Sequence, residues 1–150
     1  MGTVESIYLA AEHEVPPAPV DTVRVTPGRG PEGDRYYRGE EPNEPGVGRD
    51  LTLIEAEAIE GLAGDAGIEL EPGEARRNVV TRGIGLNDLV GKPFRVGAVR
   101  CVGVELCNPC RHLERLTKPG VLRGLAGRGG LRADVVSGGE IAVGDPVDAL

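Results

Sequence analysis

The 150-residue sequence predicts a mainly β fold of the α+β class, a β-barrel with one or two helices on its rim. Two observations lead there. The second half of the chain is a series of short β-branched runs broken by glycine: NVVTRGI, FRVGAVRCVGVEL, LRADVVSGGEIAVG and DPVDAL. Only one stretch, IEAEAIEGLAGDAG, carries apolar residues at helical spacing over several turns. The 24 glycines follow no period, which excludes collagen-like and repeat architectures.

Taken in order, Val4 to Ala10 alternates as a strand, with Val4, Ser6, Tyr8 and Ala10 on one side and Ile7 and Leu9 on the other. VPPAP at 15–19 is a loop, because proline removes donors and fixes φ. Val20 to Val25 reads as a second strand. The turn-rich TPGRGPEGDRYY leads into GEEPNEPGVG at 39–48, whose acidic, proline-glycine composition offers nothing to bury and predicts a mobile loop. Thr52 and Glu55 have capping-box spacing, predicting a helix over about 53–65 that ends near Gly64 or Gly67. GLNDLVG and residues 113–116 suit short helical pieces. Nothing along the chain marks a boundary, so one domain over 1–150 is expected.

Composition narrows the function classes. Aromatics are limited to Tyr8, Tyr36, Tyr37 and Phe94, which argues against base-stacking platforms for nucleic acid. No apolar run approaches the ~20 residues of a membrane span. The first residues, MGTVESIYLAAEHE, have neither a basic nor a long apolar region, and three cysteines cannot form a complete disulfide framework. A cytoplasmic protein is the expectation, with no nucleic-acid or membrane partner. The net charge of −7 is unevenly spread. Residues 1–75 carry five arginines against 17 acids, whereas residues 76–132 carry 12 basic residues against Asp88, Glu105 and Glu114. A basic segment within an acidic protein suggests a local anion site; arginines scattered over the surface and paired with the acidic half are the plain alternative.

The chemistry concentrates in ELCNPCRHL, residues 105–113. Cys107, Cys110, His112 and Cys101 supply four candidate zinc ligands, but Cys101 lies in VRCVGV, where a small buried core residue is expected, and the spacing is not that of two compact ligand pairs. A thiol-disulfide switch needs a strand before the CxxC and a helix after it; both fit locally, without the surrounding βαβ pattern. A nucleophilic or metal-binding thiolate needs a positive neighbourhood, which Arg111, Arg115 and His112 provide. Two quiet thiols at a strand end remain the plain reading.

Five segments, in order, resemble the MOSC domain, named for the C-terminal domain of molybdenum cofactor sulfurase: GDRYY (33–37), RDLTLIEAEAIEGL (49–62), EARRNVVTRGIGLNDLVGKPFRVGAV (74–99), ELCNPCRHL and GRGGLRADVVSGGEIAVGDPV (127–147). The resemblance implies a MOSC-type β-barrel whose cysteine carries sulfur as a persulfide for molybdenum or other metal-sulfur centres, or ligates molybdenum cofactor. Aligned on the Pro-Cys pair, that residue is Cys110, with Cys107 a resolving thiol or incidental. Arg76, Arg77, Asn78, Thr81 and Arg111 would frame an anion, the pterin phosphate or an oxo-metal group, since arginine forks suit both. The plain reading pairs Arg76 and Arg77 with Glu71 and Glu74, and Asp34 with Arg35 in a turn. His13 has no motif around it and reads as an exposed loop residue.

Molybdenum-binding relatives carry a further N-terminal barrel domain, and sulfurase fusions carry a pyridoxal-phosphate desulfurase domain; neither is expected within these 150 residues. Pyridoxal phosphate is therefore not expected on this chain. The expected partners are a cysteine desulfurase or other sulfur donor and a molybdenum enzyme or cofactor as acceptor, with a second copy of the chain closing an open edge. The alternatives are a binding module that performs no chemistry and a CxxC switch using Cys107 and Cys110.

Overall fold

The structure is a computed structural model, and it describes residues 2–12, 14–35, 37 and 41–150. The expectation for His13, Tyr36 of the GDRYY segment and the first two residues of the 39–48 loop lie outside the described residues.

Among the described residues, eleven strands and three helices follow one another. They are β1 (Gly2–Leu9), β2 (Ala18–Val20), β3 (Thr22–Thr26), β4 (Gly30–Pro31), β5 (Leu51–Glu55), α1 (Ala56–Ala66), β6 (Val79–Arg82), β7 (Pro93–Val96), β8 (Val99–Leu106), α2 (Arg111–Leu116), α3 (Val121–Gly124), β9 (Leu131–Ser137), β10 (Gly139–Ala142) and β11 (Pro146–Ala149). Short 3₁₀ turns cover Pro72–Ala75 and Leu86–Leu89. Seven strands close into a barrel in the order β11-β7-β8-β9-β5-β6-β1, and β1 returns to pair with β11. Closure removes the open edges that a sheet of this size would present. A second sheet, β10-β3-β4, packs its buried Val23, Val25 and Ile141 into the same core.

All barrel pairings are antiparallel except β5 with β6. A parallel pair needs a crossover, and α1 with the turn after it supplies one. This connection explains the burial pattern. Successive side chains on a strand point to opposite faces. Leu53 and Val79 therefore fill the barrel, while Ile54 and Val80 lie outside it, under Ile59 and Leu62 of α1, Leu113 of α2 and Val121 of α3. Burying each such aliphatic side chain contributes roughly 1.5–3 kcal/mol. Both faces of β5 and β6 are thus apolar, and neither strand shows clean alternation.

Three expectations shift for local reasons. The helix begins at Ala56, not 53, because Thr52 and Glu55 belong to β5. The Thr52 hydroxyl is engaged with Asn78, and the Glu55 carboxylate accepts from the Leu86 N–H at 3.3 Å. Burial is the main reason that carboxyl is held above its ordinary pKa. The helix stops at Gly67, whose left-handed φ of 68° lets its N–H cap Ala63. In β1 a bulge between Val4 and Ser6 resets the alternation, so Val4 and Ile7 share the inward face. Residues 20–25 divide between β2 and β3.

The described part of the 39–48 loop is tied to the barrel by carboxylates. Asp50, buried, accepts from the Gly28 and Val135 N–H groups and from Asn43 Nδ2, at 2.9–3.0 Å. Asp134 accepts from the Gly46 and Gly48 N–H groups at 2.6 and 2.9 Å. Composition predicts nothing to bury here, and little is buried; hydrogen bonds hold the segment instead. No described helix is long and apolar enough to cross a membrane.

Cys101 sits inside the barrel on β8, as its sequence context predicts, and burial pushes its thiol pKa up to about 12 from 9.0. The sign of the linkage follows. Between these values the unfolded chain has released a proton that the folded chain retains, so stability falls as pH rises. The urea midpoint of the wild type is expected to drop faster above pH 9 than that of Cys101→Ala. Equal pH slopes would contradict the placement.

Candidate active site

Strand β8 ends at Leu106 and delivers Cys107, whose N–H donates to Gly130 O at 2.7 Å. Asn108 and Pro109 then carry the chain out to Cys110, the residue before α2. The two thiols have different environments: Cys107 is buried, 3% exposed, and Cys110 is exposed. The loop packs directly on Gly129. A Cβ there would stand 2.5 Å from Cys107 O and 2.8 Å from Pro109 Cδ, so only glycine allows this approach.

Arg77 fixes the loop from the other side. Its Nε donates to Gly129 O at 2.9 Å, and its Nη2 donates to Cys107 O at 3.2 Å and Asn108 O at 3.4 Å. One guanidinium therefore joins three carbonyls from two chain segments, which its rigid fork suits and an ammonium does not. Burial is the main influence lowering the Arg77 pKa; the nearby Cys107 and Cys110 sulfurs oppose it, and the positive charges of Arg132 and Arg35 add to it. Both sulfurs thus lie within electrostatic reach of this guanidinium.

Beside the loop is a cavity of about 360 Å³. Among the described residues its wall contains Cys107, five arginines (Arg35, Arg49, Arg76, Arg77, Arg132) and one carboxylate, Asp34. Asp34 is already engaged, accepting from the Ala10 N–H at 3.1 Å and from Arg35 at 3.4 Å. Five like charges around one small space repel one another, and an anion relieves that repulsion. Arg76 reaches the wall from a left-handed backbone, φ 60°, just after the 3₁₀ turn, a conformation that a non-glycine residue adopts at a cost of order 1 kcal/mol. Its Nη1 donates to Val15 O at 2.9 Å.

Asn78 forms the floor without a free amide. Its Oδ1 accepts from Thr52 Oγ1 at 3.1 Å, its Nδ2 donates to Tyr8 O at 3.3 Å, and its N–H donates to Thr52 Oγ1 at 3.0 Å. It joins β1, β5 and β6 below the cavity and so acts as a positioning residue.

The structure therefore brings Cys107, Arg76, Arg77 and Asn78 to one cavity. Cys110 stands at the loop's exposed end. Thr81 is fully buried, with its hydroxyl toward Ile54 O, and Arg111 is exposed on α2; neither lines the cavity. Pairing of Arg76 and Arg77 with Glu71 and Glu74 gives way to carbonyl contacts for both arginines, while Glu74 caps the Glu71 N–H. The Asp34–Arg35 pair forms and also lines the cavity. Arg49 and Arg132 carry no site expectation from the sequence, although each lies in a segment that resembles the MOSC domain, RDLTLIEAEAIEGL and GRGGLRADVVSGGEIAVGDPV. Cys101 lies within the barrel core, away from any set with His112. Among the described residues no three His, Cys, Asp or Glu side chains are grouped to hold a metal ion.

Alkylation of the native protein is expected to label Cys110 first, Cys107 slowly and Cys101 only on unfolding, as peptide mapping would show. Arg77→Lys should speed labelling of Cys107 and cost about 1 kcal/mol in denaturant unfolding, because two part-buried carbonyls and one exposed one lose the guanidinium's fixed donors. Equal rates at Cys107 and Cys110 in the wild type would contradict the arrangement.

Comparison with known structures agrees with the barrel. The YuaD protein of Bacillus subtilis superimposes with a TM-score of 0.83 at 18% identity, over 99% of this chain and 96% of that one. YiiM of Geobacillus stearothermophilus gives 0.73 at 16% identity, over 100% and 75% of the two chains. YiiM of Escherichia coli gives 0.73 at 19%, over 100% and 70%. At these identities the likeness is one of fold. No curated protein matches the sequence. The MOSC domain family model, however, matches residues 39–148, most of the chain and the whole cysteine loop. The chain belongs to the MOSC domain family.

Proposed function

We propose that the cysteine loop and the arginine cavity form one site for sulfur or oxo-group transfer, in which Cys110 takes up sulfur as a persulfide and the arginines hold the anionic acceptor. The observation that carries this reading is a thiol, Cys107, set in the wall of a cavity with five arginines. The outer sulfur of a persulfide passes to a nucleophile held close to it, its cysteine leaving as a thiolate, and arginine forks would hold an acceptor there by its phosphate or oxyanion groups. The donor would be a cysteine desulfurase or another persulfide-bearing protein, and the acceptor a molybdenum cofactor or the enzyme that carries it.

Membership of the MOSC family associates the chain with molybdenum-cofactor chemistry, and the residues present suit that group. Such a cofactor brings its own sulfur ligands and a phosphate, so it asks the protein for anion contacts and at most one thiolate. Arg35, Arg49, Arg76 and Arg132 would hold the phosphate, and Cys107 is the wall thiol available to the metal. When bound, the cofactor supplies two-electron oxo or sulfido transfer. The chain's own part is to bind and orient: Arg77 fixes the loop, Asn78 fixes the floor, and the half-buried wall limits water around the sulfur.

Incubation with a cysteine desulfurase and cysteine, without reductant, is expected to add one sulfur atom to the intact mass, removable by dithiothreitol and mapped to the 107–110 loop. Loss of two hydrogens across Cys107 and Cys110 would favour a disulfide switch. A protein that stays reduced and unmodified would contradict the sulfur-carrier reading; molybdenum retained on Arg132→Ala as well as on the wild type would contradict the cofactor-binding one.

A further inference from the structure

Resting on the sulfur-carrier reading, we propose that the two cysteines divide the work as a relay: Cys110 is the outer port that receives sulfur from a protein donor, and Cys107 is the inner port that presents it to the arginine cavity. The inference comes from their unequal positions. Cys110 is exposed and lies outside the cavity wall, whereas Cys107 is 3% exposed and lies in it. A persulfide carried on the active-site loop of another protein can reach the first sulfur and not the second. An anion held by Arg35, Arg49, Arg76 and Arg132 faces the second and not the first. Neither cysteine alone connects donor to acceptor.

The surroundings match this division. Around Cys110 the exposed side chains of Arg111 and Arg115 make a basic rim, with His112 beside Glu14 (Nε2–Oε1 3.8 Å), while the neighbouring Glu114 is turned inward to accept from the Gly120 and Leu122 N–H groups at 2.9 and 3.1 Å. A donor with an acidic margin fits this rim. Arg77 fixes the inner end of the loop through the Cys107 and Asn108 carbonyls.

The chemistry balances without an oxidant or reductant. In the first step the Cys110 thiolate attacks the outer sulfur of the donor's protonated persulfide; the donor's S–S bond breaks and its cysteine leaves as a thiolate. In the second step the Cys107 thiolate attacks the outer, protonated sulfur of the Cys110 persulfide. A new S–S bond forms at Cys107, the bond to Cys110 breaks, and Cys110 leaves as a thiolate ready for another cycle. Attack on the inner sulfur would instead give a Cys107–Cys110 disulfide and release sulfide.

The test uses the full chain as wild type, Cys110→Ser, Cys107→Ser and Cys107→Ala, with two sulfur sources: a persulfidated cysteine desulfurase and inorganic polysulfide. Samples are trapped with an alkylating agent over time and mapped. The relay predicts that in the wild type the extra sulfur is found first on Cys110 and later on Cys107. In both Cys107 variants it should stay on Cys110. Cys110→Ser should take sulfur from the protein donor at least about tenfold more slowly than the wild type, while polysulfide, small enough to enter, still loads its Cys107. Loading of Cys110→Ser by the protein donor at the wild-type rate would overturn the relay, as would sulfur that remains on Cys110 in the wild type or appears as free sulfide with a disulfide. Those outcomes leave the sulfur-carrier reading standing. Failure of both sources to load any cysteine of the wild type would overturn both.

Discussion

The site depends on one guanidinium. Arg77 donates to three carbonyls on two segments that also meet through the end of the β8–β9 ladder, the Cys107–Gly130 backbone bond and packing on Gly129. A charged group with several donors, partly removed from water, is costly unless its hydrogen bonds are made. The same requirement that keeps Arg77 in place keeps the loop in place. It also puts a fixed positive charge within electrostatic reach of the two sulfurs of the proposed transfer.

The barrel supplies the other half of the arrangement. Its parallel β5–β6 pair brings Thr52 and Asn78 side by side, and the start of β6 places Arg76 and Arg77 directly before the paired segment. The β8–β9 pair brings Cys107 next to Gly130 and Arg132 next to Glu105. Asp50 and Asp134 then hold the loop before β5, setting Arg49 and Gly48 on the far wall. Carboxylates do the structural tying while arginines face the cavity. An acidic chain with a net charge of −7 can in this way present a strongly positive interior surface. Its field is local to the cavity.

Much of this was legible in the sequence. Glycine-punctuated β-branched runs gave the barrel strands, Cys101 in an apolar run gave a core thiol, and Arg-Arg-Asn with ELCNPCRHL marked two walls of the site. What could not be read is long-range. Thr52-x-x-Glu55 has capping spacing, but its hydroxyl is claimed by Asn78, 26 residues away. The β1 bulge reverses which side of the strand faces inward, and local alternation carries no sign of it. Arg49 and Arg132 line the same cavity because β5 pairs with β9, which sets Arg132 opposite Thr52 and near the loop that carries Arg49. Thr81 shares a segment with Arg76 and Arg77 but points to Ile54, because strand geometry sends it behind the wall. The difference between Cys107 and Cys110 likewise depends on Gly129 and Arg77, which stand on other segments.

The central claim is that an anion held by the arginines lies against the Cys107 thiol. The most direct measurement is the alkylation rate of each cysteine as inorganic phosphate is titrated against chloride at constant ionic strength. The account predicts saturable protection of Cys107, little change at Cys110, and loss of the protection in Arg132→Ala. A Cys107 rate that ignores phosphate, or protection that persists without Arg132, would contradict it.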